Sequence, residues 1–457
     1  MTEIIDLTAQ DMGAAFRRGE ISPVEAAKAA LDQIAASADL NAFVTVTPDI
    51  ALEAARAAEA RARAGKMIGP MDGIPYSVKD LIDAAGVPTT HGSAAMAGNM
   101  PANDSVSVAR TRAAGGVLIG KTTTPEFGHK PEATSPVSGR TLHPTHPDRT
   151  PGASSSGAGV AVAAKMGPVA IGSDGGGSIR IPAACCGVVG LKPTLGMVPH
   201  LQLPDLFGAN SYVGPMARNV ADTALLFEAI AGFDARDPFG QAALPPEQRV
   251  ESLAGLRIGW MPRGGSAVDP EITAITTAAI QRIAAAGAEV EEFDMDFRAM
   301  EPAFLTVLRS GLAARVGPLM DRKGDLLDDT LRRRIDEGRA LSAIELLDAA
   351  YARTAFFRDL QDQLDRFDVI ISPVLTAPPL KIDIDTSGEI ELNGYTGTVR
   401  GAWYPFTFPL NLTGHPALSM PCGRDSHGLP VALQLMTRWY QDRFLLRVGE
   451  LVEQTIA

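Results

Sequence analysis

The chain has 457 residues, 46% of them apolar and 21% charged, with a formal net charge of −12. That length and apolar share suffice for a sizeable buried core, and the acidic balance argues against an electrostatic footprint for nucleic acid. No run of about eighteen apolar residues occurs, which excludes a membrane-spanning helix, and three cysteines (Cys185, Cys186 and Cys422) make no disulfide framework.

From about 7 to 64 the pattern is helical, and Ser22-Pro23-Val24-Glu25 reads as a capping box with proline at the first helical position. From about 70 to 235 short apolar runs such as Gly116-Val117-Leu118-Ile119 and Pro168-Val169-Ala170-Ile171 alternate with helical stretches, which predicts an α/β sheet. Pro245-Pro246-Glu247-Gln248 reads as a surface connection. After it, Leu256-Arg257-Ile258-Gly259-Trp260 predicts a strand and about 269 to 287 a helix. A divergent helical stretch runs from about 299 to 366. The strand Val369-Ile370-Ile371-Ser372-Pro373 follows, and a helix closes the chain from about Gln441. No long polar linker and no internal repeat divide the chain, so one domain over 1–457 is expected. The first residues lack the cationic and apolar segments of a secretory leader, and with the odd cysteine count the expected compartment is the cytoplasm.

The most informative stretch is Gly172-Ser173-Asp174-Gly175-Gly176-Gly177-Ser178-Ile179-Arg180. Three successive glycines have no Cβ to shield their N–H groups, so several donors converge beside the Ser178 hydroxyl, as an oxyanion hole requires. Glycine runs are also common punctuation, so the neighbouring motifs decide. A serine nucleophile needs a base. Gly73-Ile74-Pro75-Tyr76-Ser77-Val78-Lys79-Asp80 reads as a short apolar strand ending on Lys79, and burial there lowers a lysine pKa towards neutrality. Thr150-Pro151-Gly152-Ala153-Ser154-Ser155-Ser156-Gly157 sets three hydroxyls in a tight turn before an alanine-rich helical pattern from about Gly159 to Lys165. A hydroxyl both donates and accepts, so one of these serines suits a proton relay between Lys79 and Ser178.

These segments, in this order, resemble the amidase signature family. The likeness extends through "TTHGSAAM", "GGVLIGKTTTPEFG", "VGPMARNVADTALLFEAIAG", "FPLNLTGHPALSMPCG" and "GLPVALQL". The resemblance implies an α/β/α sandwich whose large, mixed, mostly parallel twisted sheet is covered by helices. It implies an amidase that hydrolyses a carboxamide C–N bond through a Ser178 acyl-enzyme, with Ser154 as the bridging serine at a cis peptide and Lys79 as the base. Residue by residue, it assigns the oxyanion hole to the backbone N–H groups of Gly175, Gly176, Gly177 and Ser178. It makes Ser155, Asp174 and Arg180 supports of these loops, gives Gly128 a place lining the acyl pocket, and sets the 299–366 stretch near that pocket. No cofactor and no metal are implied, and the partners expected are a small amide and a second copy of the chain.

The chain departs from the family at Gly152-Ala153-Ser154-Ser155-Ser156-Gly157-Ala158, where glycine is common at 153 and 156 and conventional φ values are now demanded. His143-Pro144-Thr145-His146 replaces Asn-Pro-Trp-Asn, and Thr122-Thr123 replaces Thr-Asn. None of these changes touches Lys79, Ser154 or Ser178.

Competing signals have plainer readings. Gly115 to Thr122 matches a phosphate-binding loop letter for letter, yet Val117-Leu118-Ile119 is itself the strand that should precede such a loop. His143 and His146 have metal-like spacing but no Cys or Glu cluster to complete a site. Ala153-Ser154-Ser155-Ser156-Gly157 mimics a nucleophile elbow without the strand that should lead into it. The alternative function is the glutamine-amidase subunit of a transfer-RNA-dependent amidotransferase. Relatives of that kind carry a glutamine where this chain has Ile181 and an acidic residue where it has Tyr404. With Trp403, Tyr404, Phe406 and Phe408 in that late segment, either lining the pocket or packing the core, apolar or aromatic amides are the expected substrates.

Overall fold

The computed structural model describes residues 3–208, 210–243 and 249–457. The expected surface connection at 245–248 lies outside the described residues. In chain order the strands are β1 (Phe43–Val46), β2 (Pro75–Lys79), β3 (Val117–Thr122), a short pair β4 (Thr134–Ser135) and β5 (Gly139–Arg140), and β6 (Val169–Asp174). Then come β7 (Val189–Lys192), β8 (Tyr212–Ala217), β9 (Arg257–Trp260), β10 (Glu289–Glu292) and β11 (Val369–Pro373). A second short pair, β12 (Glu389–Leu392) and β13 (Tyr395–Thr398), precedes β14 (Ala417–Arg424) and β15 (Pro430–Met436).

The two short pairs stand apart, and the remaining strands form one large mixed sheet in the order β1-β3-β2-β6-β8-β7-β14-β15-β11-β9-β10. Its parallel pairs gather in two runs, β3-β2-β6 and β11-β9-β10. The strands between these runs, and β1 at the edge, pair antiparallel. Both faces are covered by helices, which the strand sequences require. Leu118, Val169 and Ile171 enter one apolar cluster while Val117, Ile119 and Ala170 enter another, so alternate side chains of β3 and β6 are apolar on both faces.

The capping box at Ser22 and Glu25 is formed in both directions at the start of the helix Pro23–Ala36. The 299–366 stretch resolves into the helices Glu301–Lys323, Asp329–Arg339 and Ala343–Arg366. The helical reading of 7–64 needs one correction: Phe43–Val46 form a strand antiparallel to β3. This four-residue run of aromatic and β-branched side chains, between Asn41 and the proline that opens the helix Pro48–Arg63, is too short to interrupt the alanine pattern around it. The helix expected from about Gly159 begins at Ser156 and ends at Ala163.

Candidate active site

β2 and β6 are parallel neighbours, with Tyr76 opposite Val169 and Val78 opposite Ile171, so their carboxyl ends share one edge of the sheet. Ligands of α/β sheets gather outside such ends. Tyr76 and Val78 join the main core cluster, which leaves Lys79, of opposite parity, on the face where the helix Ser156–Ala163 packs. Lys79 is fully buried, and its Nζ donates to Ser154 Oγ (2.7 Å) and to the carbonyl of Ser173 (3.1 Å). The Ala153–Ser154 peptide is cis, and Ala153 and Ser156 keep negative φ values, as their side chains demand. Ser155 joins the two loops. Its N–H donates to the Ser178 carbonyl (3.0 Å) and its Oγ to the Ser173 carbonyl (3.0 Å). Ser178 itself is partly exposed, and the Ser155 N–H bond to its carbonyl ties it to the turn that holds the buried Ser154.

Burial lowers the Lys79 pKa to about 7, against the opposing pull of the Asp174 charge. A base must be neutral to accept a proton, so the rate is expected to rise with pH through about 7 and to level off above it. Lys79→Ala is expected to lose at least about a hundredfold in kcat, the usual share of general-base transfer. Burial also holds His91 and His129 down to about 4, so a rate limb near that pH, kept in the Lys79 variant, would move the base to one of them. His129 is otherwise engaged, with Nδ1 against the Glu126 carbonyl (2.6 Å) and Nε2 against Thr330 Oγ1 (2.7 Å).

Asp174 and Arg180, both fully buried, clamp the glycine loop. Asp174 accepts from Arg180 Nε and Nη2 (3.0 Å each), from Asn411 Nδ2 (2.9 Å), and from the N–H groups of Gly177 (2.6 Å) and Ile179 (3.1 Å). Burial alone would raise the carboxyl pKa, but the Arg180 guanidinium and these donors hold it well below the usual carboxylate range. Gly177 therefore departs from its expected place in the oxyanion hole, because its N–H already belongs to Asp174. The N–H groups of Gly175, Gly176 and Ser178 have no protein acceptor among the described residues. They remain as candidate oxyanion donors.

Gly128 has φ +67°, and a Cβ there would come within 2.9 Å of Ser154 Oγ, so its backbone does lie against the serine turn. Four contributors were not singled out from the sequence. Thr407 Oγ1 donates to the Gly176 carbonyl (2.8 Å), and Asn411 Nδ2 donates to the Asp174 carbonyl (2.8 Å). Gln434 Oε1 accepts from Arg180 Nη1 (2.8 Å), and a Cβ on Gly176 would meet the Phe304 ring at 2.6 Å. Thr407 and Asn411 sit within or beside the "FPLNLTG" stretch, which was the available signal.

Trp403, Tyr404, Phe406 and Phe408 are all buried core residues in a segment that includes the helices Val399–Trp403 and Phe408–Thr413. Of these four rings, Phe408 approaches the glycine loop, through its contact with Phe304 (5.1 Å between ring centroids). The phosphate-loop lysine, Lys121, is buried in β3, ion-paired with Asp80 (3.3 Å). His143 Nε2 lies 2.8 Å from the Cys185 carbonyl, and no cluster of three potential metal ligands occurs among the described residues. No helix among them is long and apolar enough to cross a membrane.

The Amidase family model matches residues 25–446, and with this fold it defines an amide hydrolase. The chain belongs to the amidase signature family. It is 33% identical to an acylamidase of Rhodococcus erythropolis over 97% of this chain and 94% of the relative. It is 36% identical to the A-type subunit of the glutamyl-tRNA(Gln) amidotransferase of Chloroflexus aurantiacus over 98% and 96%. Among solved structures, a bacterial aryl acylamidase of the amidase signature family superposes with a TM-score of 0.90 at 28% identity, over 98% and 96% of the two chains.

Proposed function

We propose that the protein hydrolyses apolar or aromatic carboxamides through an acyl-enzyme on Ser178. Neutral Lys79 takes the Ser154 proton while Ser154 takes that of Ser178, and Ser178 Oγ bonds to the amide carbon. The N–H groups of Gly175, Gly176 and Ser178 receive the oxyanion. The proton returns through Ser154 to the leaving nitrogen as the C–N bond breaks, and water then cleaves the ester by the same relay. The observation that carries this reading is the 2.7 Å contact between a fully buried lysine of near-neutral pKa and Ser154.

The substrate preference rests on the wall at Gly176, where Phe304 is backed by Phe408, and on the apolar Leu81 side chain beside Gly128. An anilide or benzamide is expected to exceed glutamine at least about tenfold in kcat/KM, since a pocket without a fixed acidic partner gains little from an ammonium group. Faster turnover of glutamine would move the amidotransferase-subunit reading to first place. A reducing cytoplasm and a homodimer belong to the same proposal. The free thiols of Cys185, Cys186 and Cys422 support the first, and light scattering of the purified protein tests the second.

A further inference from the structure

The helix Glu301–Lys323 lies across the glycine loop with Phe304 against Gly176. Eleven residues on, three turns and about 16 Å along the axis, Arg315 returns to the same face. Gly311 lies between them on that face and borders open space, with nothing within 4 Å of the place its Cβ would take. Phe304, Gly311 and Arg315 therefore share one face of a helix that runs outward from the nucleophile loop. Phe127, the residue before Gly128, packs against the cluster that holds Leu312 and Val316 of the same helix.

Arg315 is solvent-exposed, and desolvation by its surroundings lowers its pKa. It has no carboxylate partner among the described residues, although the chain carries 53 acidic residues against 41 basic ones. Two imidazoles share its surroundings. His91 stacks on Phe127 (5.6 Å between ring centroids), the residue before Gly128. His200 is held down to about 4 by burial and then by the charges of Arg315 and Lys79, so its ring lies in the field of both. Burial, Lys121 and Arg315 lower His91 to about 4 as well. Both rings are neutral at physiological pH and supply no counter-charge.

We propose that Arg315 binds a carboxylate at the far end of the amide substrate. Preferred substrates are then amides whose scissile carbonyl is joined by an extended apolar spacer to a terminal carboxylate. The guanidinium fork matches a carboxylate in two hydrogen bonds, and the partly exposed Phe127 offers apolar surface for the spacer. This inference rests on the amide-hydrolase reading of Ser178, and its test keeps the two apart.

Mono-anilides of dicarboxylic acids of increasing length are compared with alkanoyl anilides of the same length. Binding to the Ser178→Ala protein is measured by calorimetry, and hydrolysis is measured with the unaltered enzyme. At the best length the carboxylated member is expected to bind at least about tenfold more tightly, as one charge-assisted pair provides. Arg315→Gln should bring that ratio to about one, and Arg315→Lys should restore part of it. Added salt should lower the ratio in the protein that keeps Arg315, which reads the same charge without altering any side chain. Equal affinities for the pair, no binding of either, or a preference that survives Arg315→Gln overturns the proposal. A binding preference without hydrolysis of either anilide leaves the subsite standing and overturns the substrate reading instead.

Discussion

Ser178→Ala is expected to lose roughly four orders of magnitude or more in kcat, because every covalent step of the proposed reaction passes through that hydroxyl. A fluorophosphonate should leave its adduct on the peptide that carries Ser178 and none on the variant, as read by mass spectrometry. Groups that act as a unit are not additive, so combining Ser178→Ala with Lys79→Ala should cost little beyond the first change. An adduct on Ser154 or Ser155, with Ser178→Ala still active, would move the nucleophile into the serine turn. The geometry argues against that outcome. Ser154 Oγ is buried in contact with Lys79 Nζ, whereas Ser178 is the partly exposed serine beside the unpartnered N–H groups.

Much of this arrangement was legible because it is local. Lys79 ends an apolar run, three serines share a tight turn, and Ser178 follows three glycines, so each motif shows its chemistry within a few residues. What brings the motifs together is the parallel pairing of β2 with β6, and short apolar runs do predict a sheet there. The antiparallel middle of the sheet was less legible, because register between distant strands depends on partners that no local pattern names. The fate of the Gly177 N–H was hidden for a related reason. Asp174, three residues earlier, takes that donor only because Arg180, Asn411 and Gln434 fix its neighbourhood, and two of those three come from the far end of the chain. Trp403 to Phe408 read equally well as pocket or core. The helices on either side of Tyr404 remove the strand-like alternation that would have turned some of these rings inward.

The second large effect concerns Arg180. Replacing it with methionine leaves the Asp174 carboxylate buried without its guanidinium, and breaking a buried pair from one side costs about 3–5 kcal/mol. The pH dependence fixes the sign. In the parent protein the Asp174 pKa is lowered, so its stabilising share is present above the ordinary carboxylate range and fades as pH falls towards the folded value. In Arg180→Met burial is opposed only by the Asn411, Gly177 and Ile179 donors, so the Asp174 pKa rises from its value in the parent protein and the stabilising share it contributes above the carboxylate range shrinks. Urea unfolding should therefore show the widest gap between the two proteins near neutrality and a narrowing gap in acid. Asp174→Asn added to Arg180→Met removes the stranded charge and should recover part of the loss, whereas unrelated damage to packing would simply add. The same clamp orients the loop that carries the nucleophile. Asp174 holds the Gly177 and Ile179 N–H groups on either side of Ser178, so kcat should fall in Arg180→Met even at urea-free equilibrium, where the fold persists. An Arg180→Met protein that unfolds at the parent's urea midpoint at pH 7 would show that the glycine loop is held by Thr407 and Asn411 alone.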